Sequence, residues 1–199
     1  MFAVGHFALG YIFSKTSSKT LKINFHIPTI LVLSVIPDID ILIPFLEHRG
    51  LTHSIITASI VFVPIFAIYH KKATPYFIAL IQHSLIGDYL VGGKTQLLFP
   101  LTTQYYGTGL NILSQTSIAL EWATFLASML VMLAVKDMKI FFQQHNSNLI
   151  LTIPTFTVLL PIFLAFPLGV PPVLMPPHIV YLVLFITSIV TDIKKVTTH

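Results

Sequence analysis

Two carboxylates two residues apart, Asp38 and Asp40, stand in the run Pro37-Asp38-Ile39-Asp40 of an otherwise apolar stretch. In such a setting the two charges repel, and one stays protonated unless a cation is shared between them. A divalent metal resolves the conflict, and bridging carboxylates suit a two-metal site. The alternative is a helix N-cap or turn in which Asp serves backbone N–H groups. Ten residues on, His48-Arg49-Gly50-Leu51-Thr52-His53-Ser54 puts two imidazoles, a guanidinium and two hydroxyls into one turn. Imidazole is a common ligand of transition metals, and the rigid fork of Arg matches phosphate oxygens. The competing reading is a polar interhelical turn with Arg49 at lipid headgroups.

A third cluster, His83-Ser84-Leu85-Ile86-Gly87-Asp88, spaces its His and Asp by five residues. On an α-helix that spacing turns them about 140° apart. A π-bulge or a helix end at Gly87 brings both inward. Asp88 is then either a ligand or a hydrogen-bonded orienter of His83. His6 lies in a short apolar stretch, Glu121 sits beside Trp122 and His178 follows Pro176-Pro177; the last two have the character of interfacial residues, with Glu121 also able to act as a distal acid.

The elements that must carry these residues are membrane helices. Of 199 residues, 55% are apolar, 12% aromatic and only 9% charged, and the mean hydropathy is +0.86. That excludes disorder and an ordinary water-soluble domain, in which about a quarter of residues are charged. The absence of cysteine removes disulfides, thiolate catalysis and Cys-ligated metals. The expectation is an all-α polytopic membrane protein, a single domain over 1–199 with six or seven transmembrane helices. Crossing about 30 Å of hydrocarbon takes about 20 residues. Suitable runs fall at about 23–46, 51–70, 74–91, 115–135, 149–169 and 176–193, with a shorter one at 2–14. A polar loop spans about 92–114. The metal-site motifs lie within 1–101; residues 102–199 supply the rest of that loop and supporting helices.

The net charge of +4 comes from scattered lysines, with Arg49 the sole arginine. Such a pattern is membrane topology, and no nucleic-acid partner is expected. With every segment crossing, Lys15, Lys19, Lys22, Lys71, Lys72, Lys136, Lys139, Lys194 and Lys195 share one side, against Arg49 and Lys94 on the other. Nine against two places the first set in the cytoplasm. The expected location is the plasma or inner membrane, multi-pass, with the N-terminus outside and the C-terminus cytoplasmic. The same topology gathers most His and acidic residues on the outer side, and a charged group in a span is costly enough to mark function.

The ordered motifs resemble those of the YdjM-type (LexA-regulated) membrane-bound metal-dependent hydrolases. The likeness runs from Gly5-His6-Phe7-Ala8-Leu9-Gly10 through Pro37–Asp40, His48–Ser54 and His83–Asp88 to Leu97-Leu98-Phe99-Pro100-Leu101. It covers about the first half of the chain. The resemblance implies metal ligation by His6, Asp38, Asp40, His53, His83 and Asp88, with His48 and Arg49 alongside.

Mixed His/Asp ligation favours zinc, with manganese or iron as alternatives, and one or two ions. The expected activity is hydrolysis of a phosphoester or other ester by metal-activated water, on a lipid or lipid-linked phosphate reached from the membrane. Arg49 would stabilise developing negative charge, and His48 or Glu121 at the rim would protonate the leaving group. Two other classes fit the same residues: a proton- or metal-coupled transporter, and a non-catalytic scaffold stapled by a structural metal. The topology is tested with single cysteines at Ser17, Thr103 and Thr197, labelled in intact cells with an impermeant thiol reagent. Only position 103 should react; labelling at 17 and 197 alone would invert the orientation.

Overall fold

A computed structural model of the chain describes residues 1–145, 147–163 and 169–196. Among these there is no strand, only an isolated bridge between Thr95 and Tyr106. The helices are α1 (Ala3–Leu21), α2 (Ile27–Leu33), α3 (Ile55–Tyr69), α4 (Thr74–Gln82), α5 (Gln115–Ala134), the composite α6 (Asn148–Phe163) and α7 (Met175–Val196). The fold is all-α, as expected. The 164–168 end of the expected 149–169 span and the 197–199 terminus lie outside the described residues.

α1 is the axis. Every residue from Ala3 to Tyr11 is buried, and the helix packs most extensively against α4 and α5. Phe7 meets Tyr181 and Phe185 at ring separations of 5.0 and 5.3 Å, and Tyr181 lies 5.9 Å from Phe125, so α1, α5 and α7 share an aromatic core. From the middle of α1 the Tyr11 hydroxyl donates to Asp137 (2.8 Å), to which Lys15 also binds at 2.6 Å. Small residues bring α2 close. The hydrogen of Gly10 points at the Ser34 hydroxyl with no room for a methyl group between them.

The membrane-spanning expectation is met only in part. Three helical runs are long and apolar enough to cross: Ile55–Gly92, Gln115–Ala134 and Pro172–Ile193; Asn148–Phe163 is shorter. The first is a hairpin, since the chain turns through His70–Ala73 and returns with Phe77 packed on Phe62 and Phe66. Outward faces of these helices carry exposed Ile60, Val63, Leu126, Leu130, Val183 and Ile186, surface that only a lipid or protein partner would cover.

The largest departure concerns the expected span at 23–46. Its α-helix is only Ile27–Leu33, about 10 Å long, far short of the hydrocarbon thickness. A 3-10 helix over Ile36–Leu42 follows, and then turns to residue 50. Pro37 and Pro44 and the Asp38/Asp40 pair break the α-helix, and its apolar residues Ile30, Leu31 and Val35 are buried against protein rather than lipid. Of the non-helical stretch, Pro37, Asp40 and Gly50 are buried in protein, while Leu42 and Phe45 are exposed.

Gly10→Ala should destabilise the α1–α2 contact by about 1–3 kcal/mol, the usual range for overpacking. A lowered thermal midpoint of the detergent-solubilised protein is the expected measurement.

Candidate metal centre

Three breaks in regular helix meet at one end of α1. The 3-10 helix Ile36–Leu42 carries Asp38 and Asp40, a 3-10 turn Leu51–His53 ends in His53, and α4 widens into a π-helix over His83–Gly92. His6 faces them from the first turns of α1. The π-helix answers the five-residue spacing. Its i→i+5 hydrogen bonding widens the turn, so His83 and Asp88 lie nearly over one another and His83 Nε2 comes within 3.4 Å of Asp88 Oδ2. Gly87 makes room for the His6 ring, which any Cβ at that position would strike.

His53 Nε2 and His83 Nε2 are 3.1 Å apart. Asp38 Oδ1 lies 3.4 Å from the first and 3.3 Å from the second, and Asp88 Oδ2 lies 3.2 and 3.4 Å from the same two nitrogens. Each aspartate thus closes a near-equilateral triangle of donors on the imidazole pair. Donors held at about 2.0–2.1 Å around a tetrahedral ion stand about 3.3–3.4 Å apart, so either triangle has the dimensions of three coordination positions.

Hydrogen bonds aim both imidazoles. His83 Nδ1 lies 2.7 Å from the Ser34 carbonyl, which can only accept, so Nδ1 carries the proton and a neutral ring leaves Nε2 free. The Thr52 hydroxyl gives its one hydrogen to Asp40 Oδ2 (2.7 Å) and so can only accept from His53 Nδ1 at 3.0 Å. His53 Nε2 is therefore also free. Such outer partners fix the tautomer and orientation of metal-binding histidines.

His6 stacks on His83, with ring centroids 3.7 Å apart, and its Nε2 is 4.0 Å from Asp88 Oδ1. Both His6 nitrogens, Asp88 Oδ2 and Arg49 Nε are buried without a hydrogen-bond partner. An unpartnered buried polar group costs about 1–3 kcal/mol, and their concentration at one point fits a site built for a cation. His6, Asp38 and His83; Asp38, His48 and His53; and His53, His83 and Asp88 each form a group able to hold a metal ion.

The structure separates the two aspartates expected to share a cation. Asp38 turns to the imidazole pair, with its side chain 18% exposed. Asp40 is 1% exposed and accepts from His48 Nδ1 (3.0 Å), Arg49 N (3.1 Å) and Thr52. Its oxygens are consumed by the turn, and among the described residues it belongs to no donor group with the others. Asp40 positions His53 and the His48–Thr52 turn.

Arg49 has a φ of 66°, a left-handed conformation that costs a non-glycine residue strain. The turn is pinned on both sides: Arg49 N donates to Asp40, while its carbonyl accepts from Gln96 N (2.9 Å) and Thr95 Oγ1 (3.1 Å). Its guanidinium lies 3.4 Å from Asp88 Oδ1. Glu47 ties the 92–114 loop down, accepting from Tyr105 Oη and Gln96 Nε2, and its carboxylate holds the Tyr105 phenol above the ordinary value.

Two expectations about the rim are corrected. Glu121 is 1% exposed and accepts from Phe2 N (2.5 Å) beneath the start of α1, outside the cavity that borders the donor cluster. His178 is fully buried, with Nδ1 donating to Leu174 O (2.7 Å), and is not interfacial. Sequence reasoning missed the roles of Ser34 and Thr52. Thr52 stood inside a recognised motif, whereas Ser34 acts through its main chain and offers no residue-type signal. It also missed the contribution of α6: Val158, Pro161 and Ile162 form an apolar wall of the cavity whose polar end is Asp38, His48, Arg49 and Asp88.

An Asp38→Ala, His53→Ala double variant should purify without divalent metal. Asp40→Asn should keep the metal with an affinity about 10–100-fold lower, the usual effect of losing an orienting partner. Metal content unchanged in a folded double variant would remove both residues from the ligand set.

No curated protein and no solved structure matches the chain. A family model does, covering residues 1–168, and its description places its members in a membrane, as the apolar helices require. With five-sixths of its length matched, the chain belongs to the YdjM inner membrane protein family.

Proposed function

We propose that the protein is a membrane-embedded metal-dependent hydrolase acting on a phosphoester. The observation that carries this reading is the pair of imidazole Nε2 atoms, 3.1 Å apart, freed by their Nδ1 hydrogen bonds and flanked by two carboxylates. His53, His83, Asp38 and Asp88 would hold the ion, with His6 completing the set or serving a second one. His/Asp donors suit zinc, and manganese or iron fit the same ligands.

A divalent ion held by these residues would supply water-activating and Lewis-acid chemistry. The chain's own groups do the rest. Arg49, held by its left-handed backbone and with Nε unpartnered, presents a fork to the phosphoryl oxygens and offsets the charge that develops there. His48 lines the cavity, and with Nδ1 committed to Asp40 its Nε2 can hold a proton for the leaving oxygen. Ile41, Val158 and Ile162 exclude water and accept an apolar substituent, which favours a lipid or lipid-linked phosphate. Asp38, open to the cavity, favours catalysis over a closed structural staple. The lysine distribution supports a site on the outer side of a multi-pass inner-membrane protein, with the C-terminus cytoplasmic.

The test is to strip the purified protein with a chelator, reload it with zinc, manganese or iron, and assay a chromogenic phosphodiester beside phospholipids and lipid phosphates. Turnover should require the metal. Arg49→Ala should retain the metal and lose about 10²–10³-fold in rate, as removal of a charge-stabilising donor does. A fully loaded protein with no turnover on any of these esters would reject the hydrolase reading and leave the staple.

A further inference from the structure

A second cavity lies at the opposite end of α3 from the His/Asp cluster. His53 precedes the Ser54 N-cap of this 15-residue helix and Tyr69 ends it, and the helix between them is about 22 Å long. The groove, about 580 Å³, runs between α2, α3 and α4. Its exposed polar lining, Asn24, Tyr69 and Lys72, forms the mouth; Leu33, Ile36 and the buried Phe62 line the apolar remainder. From Tyr69 back to Val61 the α3 wall alone is about 12 Å long. Val61 is more than half exposed, so the groove is open along its side as well as at its mouth.

A slot of this shape in a membrane helix bundle does not stay empty. Water has no partners along its apolar walls, and an unfilled void forfeits dispersion contacts on every side. The available filler is hydrocarbon chain. The mouth then decides which lipid is favoured. Lys71 and Lys72 sit side by side in the turn between α3 and α4, both exposed, and neither pairs with an acidic side chain among the described residues. Two acidic residues that the lysine pattern places on the same side are engaged elsewhere: Asp137 binds Lys15 and Tyr11, and Asp192 accepts from the His145 and Asn148 main chain. Tyr69 and Tyr76 add the amphipathic rings that settle at headgroup depth.

We propose that this groove is a binding site for an anionic phospholipid of the leaflet on the Lys71–Lys72 side. One acyl chain lies between α2, α3 and α4, and Lys72 meets the headgroup phosphate. The site is independent of the chemistry at the His/Asp cluster.

The experiment is native mass spectrometry of the full chain in detergent, titrated with phosphatidylglycerol or phosphatidylcholine of identical acyl chains. Phosphatidylglycerol should bind about fivefold more tightly, the effect of one lysine at a membrane surface. Lys72→Gln should bring the two lipids to near parity, while Lys136→Gln, exposed at the end of α5, should leave the preference intact. Ile65→Trp, which fills the groove, should weaken both lipids. Equal binding of the two lipids by the native chain would overturn the proposal, as would an equal effect of the Lys136 and Lys72 variants, since either shows annular contact only. Unchanged binding of both lipids to Ile65→Trp would place them elsewhere and overturn it too.

Discussion

Three imidazoles and two carboxylates are packed together in an almost waterless space, and the rest of the molecule is arranged around that concentration of polar groups. His6, His53 and His83 have no solvent exposure, and Asp88 has almost none. Uncompensated, such a group would be driven apart by carboxylate repulsion and by the cost of desolvation. The chain meets part of that cost internally, through Ser34, Thr52, Asp40 and the Arg49 guanidinium. The part left over falls on His6 and Asp88 Oδ2, buried groups that could meet a cation.

Holding these groups required departures from ideal helix. A straight α-helix would swing Asp88 away from His83, and a continuous helix through residues 23–46 would put Asp38 and His53 at different depths. The 3-10 segments and the π-helix are placed where Pro37, Gly50 and Gly87 allow them. The regular helices contribute by enclosing this irregular backbone. α1 is buried on all sides where it passes the site, while α3, α5 and α7 carry the lipid-compatible faces.

Much of this was legible in the residues. The His and Asp positions gather although they span more than 80 residues, and of the two remedies the five-residue interval left open at Gly87, a π-bulge or a helix end, the chain uses the wider turn. The all-α class followed from composition. What misled was hydropathy between residues 23 and 46. An apolar side chain scores alike whether lipid or protein covers it, so Ile30, Leu31 and Val35 imitate a span while belonging to a core. The Asp38/Asp40 pair misled for a related reason. Proximity in sequence says nothing about direction, and a 3-10 turn sends the two carboxylates to opposite sides of His53. Glu121 imitated an interfacial residue because the position of α5 against the start of α1 is a long-range fact.

The π-helix has an evolutionary corollary. A wide turn of this kind is equivalent to an α-helix that has gained one residue without losing the helices on either side. Relatives lacking one residue between His83 and Asp88 would present the same imidazole and carboxylate from an ordinary α-helical i, i+4 pair. An insertion or deletion inside this motif is thus a neutral change of helical register for the pair, and an alignment that penalises the gap would separate sequences whose chemistry is the same. The same change one turn earlier, between α4's start and His83, would instead rotate the imidazole off its carbonyl partner at Ser34.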